Sequence, residues 1–369
     1  MKYLFINSVA GKGSTGSIAV NLCDRYESEG NECVLAYGRM KNVSPQNIKT
    51  YKIGNALDVA VHGVISRVFD FHGYGSKRAT LNLIKWCKEY DPDVIWLHNI
   101  HGYYINIKIL FDYLRSCGKE IRWTLHDCWA FTGHCAYFSM AGCNEWMTHC
   151  TNNCVQKKKY PSTMFISHAY SNFELKRRIF VGIPNMTLIT PSEWLADLVS
   201  KSFLKEYPVE VVHNTIDKSI FKPREKTIFR EKYGINSRMI LGVADIWNER
   251  KGLYDFIKLA NMDLGNCLIV LIGKLKRADK KLIQQYKNIK VISYLGEKEK
   301  LAEAYSAADV FLNLSYEENY PTVILETRAC GTPVIAYNVG GVKETVDETS
   351  LVDKGNIVQV YNKLKQIVY

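Results

Sequence analysis

A chain of 369 residues is too long for one ordinary core and long enough for two α/β domains. With 47% hydrophobic and 23% charged residues it has the balance of a globular protein in water, and no run of about eighteen apolar residues is present to form a membrane-spanning helix. The net charge of +11, most of it carried by the first 190 residues, fits either an anionic partner (a phospholipid surface, a lipid diphosphate or nucleic acid) or a solvated, lysine-rich surface.

The opening apolar run, Met1 to Asn7, is too short for a signal peptide and reads as a first strand, so a cytoplasmic location is expected. In that compartment the eleven cysteines are expected to be free thiols or metal ligands. Short β-rich runs at 3–6, 32–36, 94–98, 121–125, 164–167 and 186–190 alternate with helical patterns and predict a parallel sheet. A break follows at 210–217. The pattern restarts with strands at 238–243, 267–272, 291–294, 308–313 and 332–336 and a helix at 253–260. The expected class is α/β, with two Rossmann-like domains, 1–213 and 214–369, whose parallel sheets face across a cleft lined by βα loops.

The first of those loops, Gly11-Lys12-Gly13-Ser14-Thr15-Gly16, has the GxGxxG spacing of a dinucleotide fingerprint: glycines let the backbone approach a phosphate, and a helix amino end follows. The second strand ends Ala36-Tyr37-Gly38-Arg39, without the carboxylate that holds the ribose of NAD, so only an NADP-dependent oxidoreductase survives as an alternative on this motif. The loop is not a P-loop, because Gly13 follows Lys12 where Ser or Thr is required. Asp91-Pro92-Asp93 reads as a turn before a strand rather than a metal-binding pair.

Glu318-Asn319-Tyr320-Pro321-Thr322-Val323-Ile324-Leu325-Glu326 places two glutamates eight apart around a Pro-Thr helix start. Thr322 and Glu326 then share a helix face. Carboxylates accept from sugar hydroxyls and helix amino ends attract phosphates, a combination suited to a sugar–diphosphate–ribose ligand. Cys330-Gly331-Thr332-Pro333 and Asn338-Val339-Gly340-Gly341 follow.

Together these segments resemble the E-x7-E region of family 4 retaining glycosyltransferases of GT-B fold. Gly13 to Gly16, Thr124-Leu125-His126-Asp127-Cys128-Trp129 and Pro191-Ser192-Glu193-Trp194-Leu195 resemble a subgroup that builds colanic acid, capsule and exopolysaccharide. The resemblance implies an acceptor-binding first domain and a donor-binding second domain. Arg250 and Lys251, in Asn248-Glu249-Arg250-Lys251-Gly252, would neutralise the donor diphosphate. Glu318 would contact the transferred sugar and Glu326 the ribose, with Asn319, Tyr320, Pro321 and Thr322 lining sugar and phosphate. Gly13 and Gly16 would face the diphosphate, and His126 the donor sugar. Ser14, Thr15, His98 and Asn99 would lie on the acceptor side.

The reaction implied is front-face transfer of a hexose-type sugar from a nucleotide diphosphate sugar to a glycan or lipid-linked glycan. No catalytic cofactor, no residue acting as base and no nucleic-acid partner are implied. A nucleotide-sugar epimerase is the other alternative of this two-domain shape. At the domain junction, Asn214-Thr215-Ile216-Asp217 lacks the family's usual glycine, and the chain after Gly355 offers one helix where the family continues back onto the first domain.

Two features lie outside that assignment. Cys135, Cys143, Cys150 and Cys154, in an insertion at about 128–158 with Cys128, His134 and His149 nearby, form a candidate structural zinc set, though without tight CxxC knuckles. Reduced thiols packing a loop are the alternative. Residues 173–180 combine apolar and basic side chains, which suits either peripheral contact with an anionic membrane at the inner face of the cell membrane or an ordinary amphipathic helix.

Overall fold

The computed structural model describes residues 1–39 and 48–368. The chain divides into two compact units, Met1–His213 and Asn214–Tyr369. Among the described residues, no helix is long and apolar enough to cross a membrane.

The first unit is built on seven parallel strands: β1 (Lys2–Asn7), β2 (Glu32–Tyr37), β3 (Lys49–Lys52), β4 (Val94–Leu97), β5 (Glu120–Thr124), β6 (Met186–Thr190) and β7 (Val209–Val211). Their order is β3-β2-β1-β4-β5-β6-β7. In β1 the side chains of Leu4 and Ile6 enter one core cluster and those of Tyr3 and Phe5 another, so both sheet faces are covered. That is why the strand reads as an unbroken apolar run rather than an alternating one. Strand order reverses at β1, between β2 and β4, and crevices for ligands form where parallel strands end at such a reversal.

The second unit repeats the plan with β8 (Arg238–Ile246), β9 (Cys267–Lys274), β10 (Ile289–Ile292), β11 (Val310–Asn313), β12 (Val334–Tyr337) and β13 (Leu351–Val352). The order is β10-β9-β8-β11-β12-β13, all parallel, and the reversal falls at β8 beside β11. The closing helix, Ile357–Val368, buries Val360 and Leu364 in this unit's own core.

One expected strand is absent. Residues 164–167 form a loop, and Met164, Phe165 and Ile166 are exposed. The sheet has no place for them, because β5 pairs directly with β6, Ile121 opposite Met186. Of the two readings of the patch at 173–180, the structure favours the amphipathic helix packed within its own unit. The patch lies on a helix, Ala169–Phe180, whose Phe173, Ile179 and Phe180 are buried, so these side chains do not present an apolar face to a lipid surface. Lys176 is buried with them: its Nζ donates to the carbonyls of Trp129 (2.7 Å) and Thr132 (2.9 Å) and sits 3.5 Å from the Trp129 ring centroid.

Candidate functional site

In the second unit the chain leaves β8 through Trp247, whose indole donates to the Ile272 carbonyl, and enters a one-turn helix, Glu249–Lys251. The Asn248 side chain caps that turn by accepting from the Lys251 amide at 3.2 Å. Gly252 follows with φ of 73°, and a Cβ there would lie 2.1 Å from the Leu314 carbonyl oxygen. Only glycine lets the turn lie against the end of β11 in this way. The two strand ends are tied directly: the Tyr316 amide donates to the Arg250 carbonyl (2.8 Å), and Arg250 Nη1 donates to the Glu317 carbonyl (2.9 Å). Lys251 Nζ forms an ion pair with Glu318 Oε1.

Glu318 is 8% exposed. Burial pushes its carboxyl up, but Lys251 and Arg250 outweigh that and leave it below the usual carboxylate range, ionised. Burial pulls the Lys251 ammonium down; Glu318 opposes and Arg250 adds to the pull, leaving it below its usual value. Two half-buried cations held beside each other favour an incoming anion.

The helix Thr322–Ala329 starts at this place, with Pro321 (φ −72°, ψ 113°) immediately before it and no side-chain cap. Its amino end therefore contributes positive potential next to the same groups. Pro321 stands at the cap rather than inside the first turn. Glu326, one turn in, accepts from Tyr305 Oη at 2.9 Å; burial raises its carboxyl, while Tyr305 and the Thr322 hydroxyl pull it partly back. Asn319 is buried, the Tyr320 carbonyl accepts from Asn214 Nδ2 (3.0 Å), and the Gly341 amide donates to the Glu318 carbonyl (3.3 Å). The structure thus gathers Arg250, Lys251 and Glu318 at one point, with residues 319–321 leading into the helix that begins there and Thr322 and Glu326 on it.

In the first unit the glycine-rich loop closes on itself, the Gly11 amide donating to the Gly16 carbonyl (3.2 Å), and the helix Gly13–Ser28 begins within it. A Cβ on Gly16 would lie 3.1 Å from Val9 Cγ2, which explains the small residue. Ser14 is exposed and Thr15 half-buried. Asn7, at the end of β1, organises this region: its Nδ2 donates to the carbonyls of Val9 (2.8 Å) and Thr15 (3.2 Å), and its Oδ1 accepts from the Asn99 amide (3.2 Å).

His98 and His126, after β4 and β5, meet through Nδ1 and Nε2 at 3.0 Å with rings stacked at 5.3 Å. Burial lowers His126 to about 4 against the pull of Asp127, so it is neutral at pH 7. Asp127 accepts from the Trp129 amide (2.9 Å) and pairs with His101 (3.0 Å), whose other ring nitrogen lies 3.0 Å from Tyr160 Oη. Asn7 and Tyr305 carry no sequence signal of their own beyond their positions near strand and helix ends.

Cys135, Cys143, Cys150 and Cys154 line one cavity of about 280 Å³ together with His134. Cys150 Sγ accepts from the Gly133 amide at 3.2 Å. Among the described residues the one group of three ligand-type atoms within 4.8 Å is not drawn from these thiols but from Asp70, His72 and His134.

Residues 225–368 match the family model of glycosyl transferases group 1. Along 95% of its length the chain is 24% identical to the putative colanic acid biosynthesis glycosyl transferase WcaC of Escherichia coli (strain K12), spanning 86% of that protein. Sucrose-phosphate synthase from Thermosynechococcus elongatus has the same fold, with a TM-score of 0.71 at 16% identity over 99% of this chain and 89% of that one. So does Anabaena Alr3699/HepE in complex with UDP-glucose, with a TM-score of 0.69 at 14% identity over the same shares. Two parallel sheets and these structural likenesses give the chain the GT-B fold, and residues 225–368, which carry the gathered cationic and carboxylate groups, are similar to glycosyl transferases group 1.

Proposed function

We propose that this protein is a glycosyltransferase that moves a hexose-type sugar, with retention of anomeric configuration, from a nucleoside-diphosphate sugar to a lipid-linked saccharide in surface-polysaccharide assembly, at the cytoplasmic face of the cell membrane. The observation that carries the donor site is the meeting of Arg250, Lys251 and Glu318 at the amino end of the helix Thr322–Ala329. Cleaving the sugar–phosphate bond builds negative charge on the departing diphosphate. Fixed cations and helix amides stabilise that charge without reorganising. Arg250 and Lys251 supply it here, in place of an added divalent ion.

In this reading the second unit binds donor and the first binds acceptor. Glu318, ionised and next to Lys251, accepts from hydroxyls of the transferred sugar. Glu326 accepts from the ribose hydroxyls, residues 319–322 line sugar and phosphate, and Gly13 and Gly16 allow close backbone approach to the diphosphate. Neutral His126 exchanges hydrogen bonds with the donor sugar without bringing a competing positive charge, and Ser14, Thr15, His98 and Asn99 lie towards the acceptor. The departing phosphate takes the acceptor proton, so no side chain is assigned as base. The resemblance of the whole chain to WcaC supports surface polysaccharide as the product class.

The test is transfer from radiolabelled UDP-, GDP- and dTDP-sugars to membrane glycolipid in the presence of EDTA, with NADP binding as a control. Incorporation from one donor is expected. Replacing Arg250 and Lys251 together by alanine should lower its rate by at least about 10²-fold. Undiminished transfer by that variant, or turnover of NADP instead, contradicts the proposal.

A further inference from the structure

Asp70 is wholly buried and has two imidazoles against one of its oxygens. His134 Nδ1 lies 2.6 Å and His72 Nε2 3.0 Å from Asp70 Oδ1. The two rings stand 5.3 Å apart at 74° to each other, and both histidines are buried, at 1% and 4% exposure. Asp70's other oxygen accepts from the His168 amide at 2.8 Å and lies 3.5 Å from Ser167 Oγ; its carbonyl accepts from Asn172 Nδ2. Among the described residues no lysine or arginine pairs with it: Lys176, in the same region, gives its protons to the Trp129 and Thr132 carbonyls. A buried carboxylate without a cation is expensive.

The histidines carry the second observation. His72 Nε2 is close to Asp70 Oδ1 but off the hydrogen-bond direction, and neither nitrogen of that ring has a hydrogen-bond partner. His134 Nε2 has none either. At His72 a ring nitrogen and a carboxylate oxygen are held near each other with no proton aligned between them, the arrangement of two donors to a common ion, whereas His134 Nδ1 and Asp70 Oδ1 share a hydrogen bond that the ion would replace.

We propose that Asp70, His72 and His134 bind a divalent transition-metal ion, zinc by the donor set, which fastens the cysteine-rich insertion to residues 70–72. Two imidazoles and a carboxylate suit zinc. Bonds of about 2.0–2.1 Å in tetrahedral geometry set donors roughly 3.3 Å apart, so the pairs at 2.6 and 3.0 Å need to open by less than about 1 Å. The ion would cancel the Asp70 charge and take up lone pairs on both rings. With all three ligands nearly closed to solvent, its role is structural. His134 follows β5 inside the insertion and the other two precede it by more than sixty residues, so the ion joins segments distant in sequence.

The full-length chain, expressed in zinc-supplemented medium and dialysed, is analysed for metal alongside His72→Asn and Cys143→Ser. About one zinc per chain is expected for the parent and for Cys143→Ser, with loss in His72→Asn. Zinc X-ray absorption of the parent keeps the test open should His72→Asn fail to fold: a shell dominated by nitrogen and oxygen is expected. Zinc absent from the parent, or lost on Cys143→Ser, or surrounded by sulfur, overturns the proposal.

Discussion

Glu318 keeps its charge under burial because Lys251 and Arg250 stand against it, and that coupling separates the roles of the three residues. Glu318→Gln preserves size and removes the partner of Lys251. Binding of free UDP or GDP, measured by calorimetry, is expected to hold or tighten, while sugar transfer falls by about 10²-fold, the cost typical of a lost transition-state contact. Lys251→Ala acts oppositely on the nucleotide, weakening diphosphate binding. A second consequence concerns acid. His126 and His62 are held at about 4 by burial, below the unfolded value of 6.5. Their depressed values mean that the unfolded chain takes up protons first, so stability falls as pH drops through 6.5 and the loss is complete below 4. Urea unfolding at pH 7 and pH 5 should differ by about 2 kcal/mol for each such histidine; equal stabilities would contradict the buried neutral state. At this scale the sequence showed residue types and not their partners. Glu318 and Glu326 were legible from the Pro-Thr helix start between them, but that Lys251 would meet Glu318, sixty-seven residues away, depends on two strand ends converging. Asn7 and the Asp70–His72–His134 group were invisible for the same reason.

Elements turn those residues into a site, and Gly252 is the plainest case. Its φ of 73°, and the 2.1 Å that would separate an added Cβ from the Leu314 carbonyl oxygen, mean that Gly252→Ala must move the Arg250–Lys251 turn away from β11. A stability loss of about 1–3 kcal/mol is expected in urea unfolding, with donor binding weakened as well; a variant with parental stability and binding would contradict the packing described. Lys176 gives a second check. Lys176→Met fills similar space but leaves the Trp129 and Thr132 carbonyls without their donor, and a loss of about 1–3 kcal/mol is expected in the same measurement. Both cases mark where sequence patterning is informative and where it stops. Strands buried on both faces, such as β1 and β8, stand out as apolar runs. The run at 164–166 looks the same but has no neighbouring strand to pair with, and the basic appearance of 173–180 conceals a lysine pointing inward. Burial is a property of the neighbours as much as of the residue.

At the scale of the molecule, each of the two units has its own sheet and its own core clusters. Alternating strands and helices made that organisation readable, because each parallel strand requires a crossover and two such series imply two sheets. All the groups assigned to donor cations, sugar and ribose, other than the glycine loop and His126, come from the second unit. Residues 214–369 expressed alone should therefore fold cooperatively and bind the nucleoside diphosphate, while transferring no sugar; an unfolded fragment, or one without affinity, would contradict this division. The most direct test of the donor site is a crystal structure of the full chain with its nucleotide sugar. The diphosphate is predicted to lie within hydrogen-bond reach of Arg250 and Lys251 at the amino end of the helix Thr322–Ala329, with the sugar against Glu318. A nucleotide seated elsewhere, touching neither cation, would contradict it.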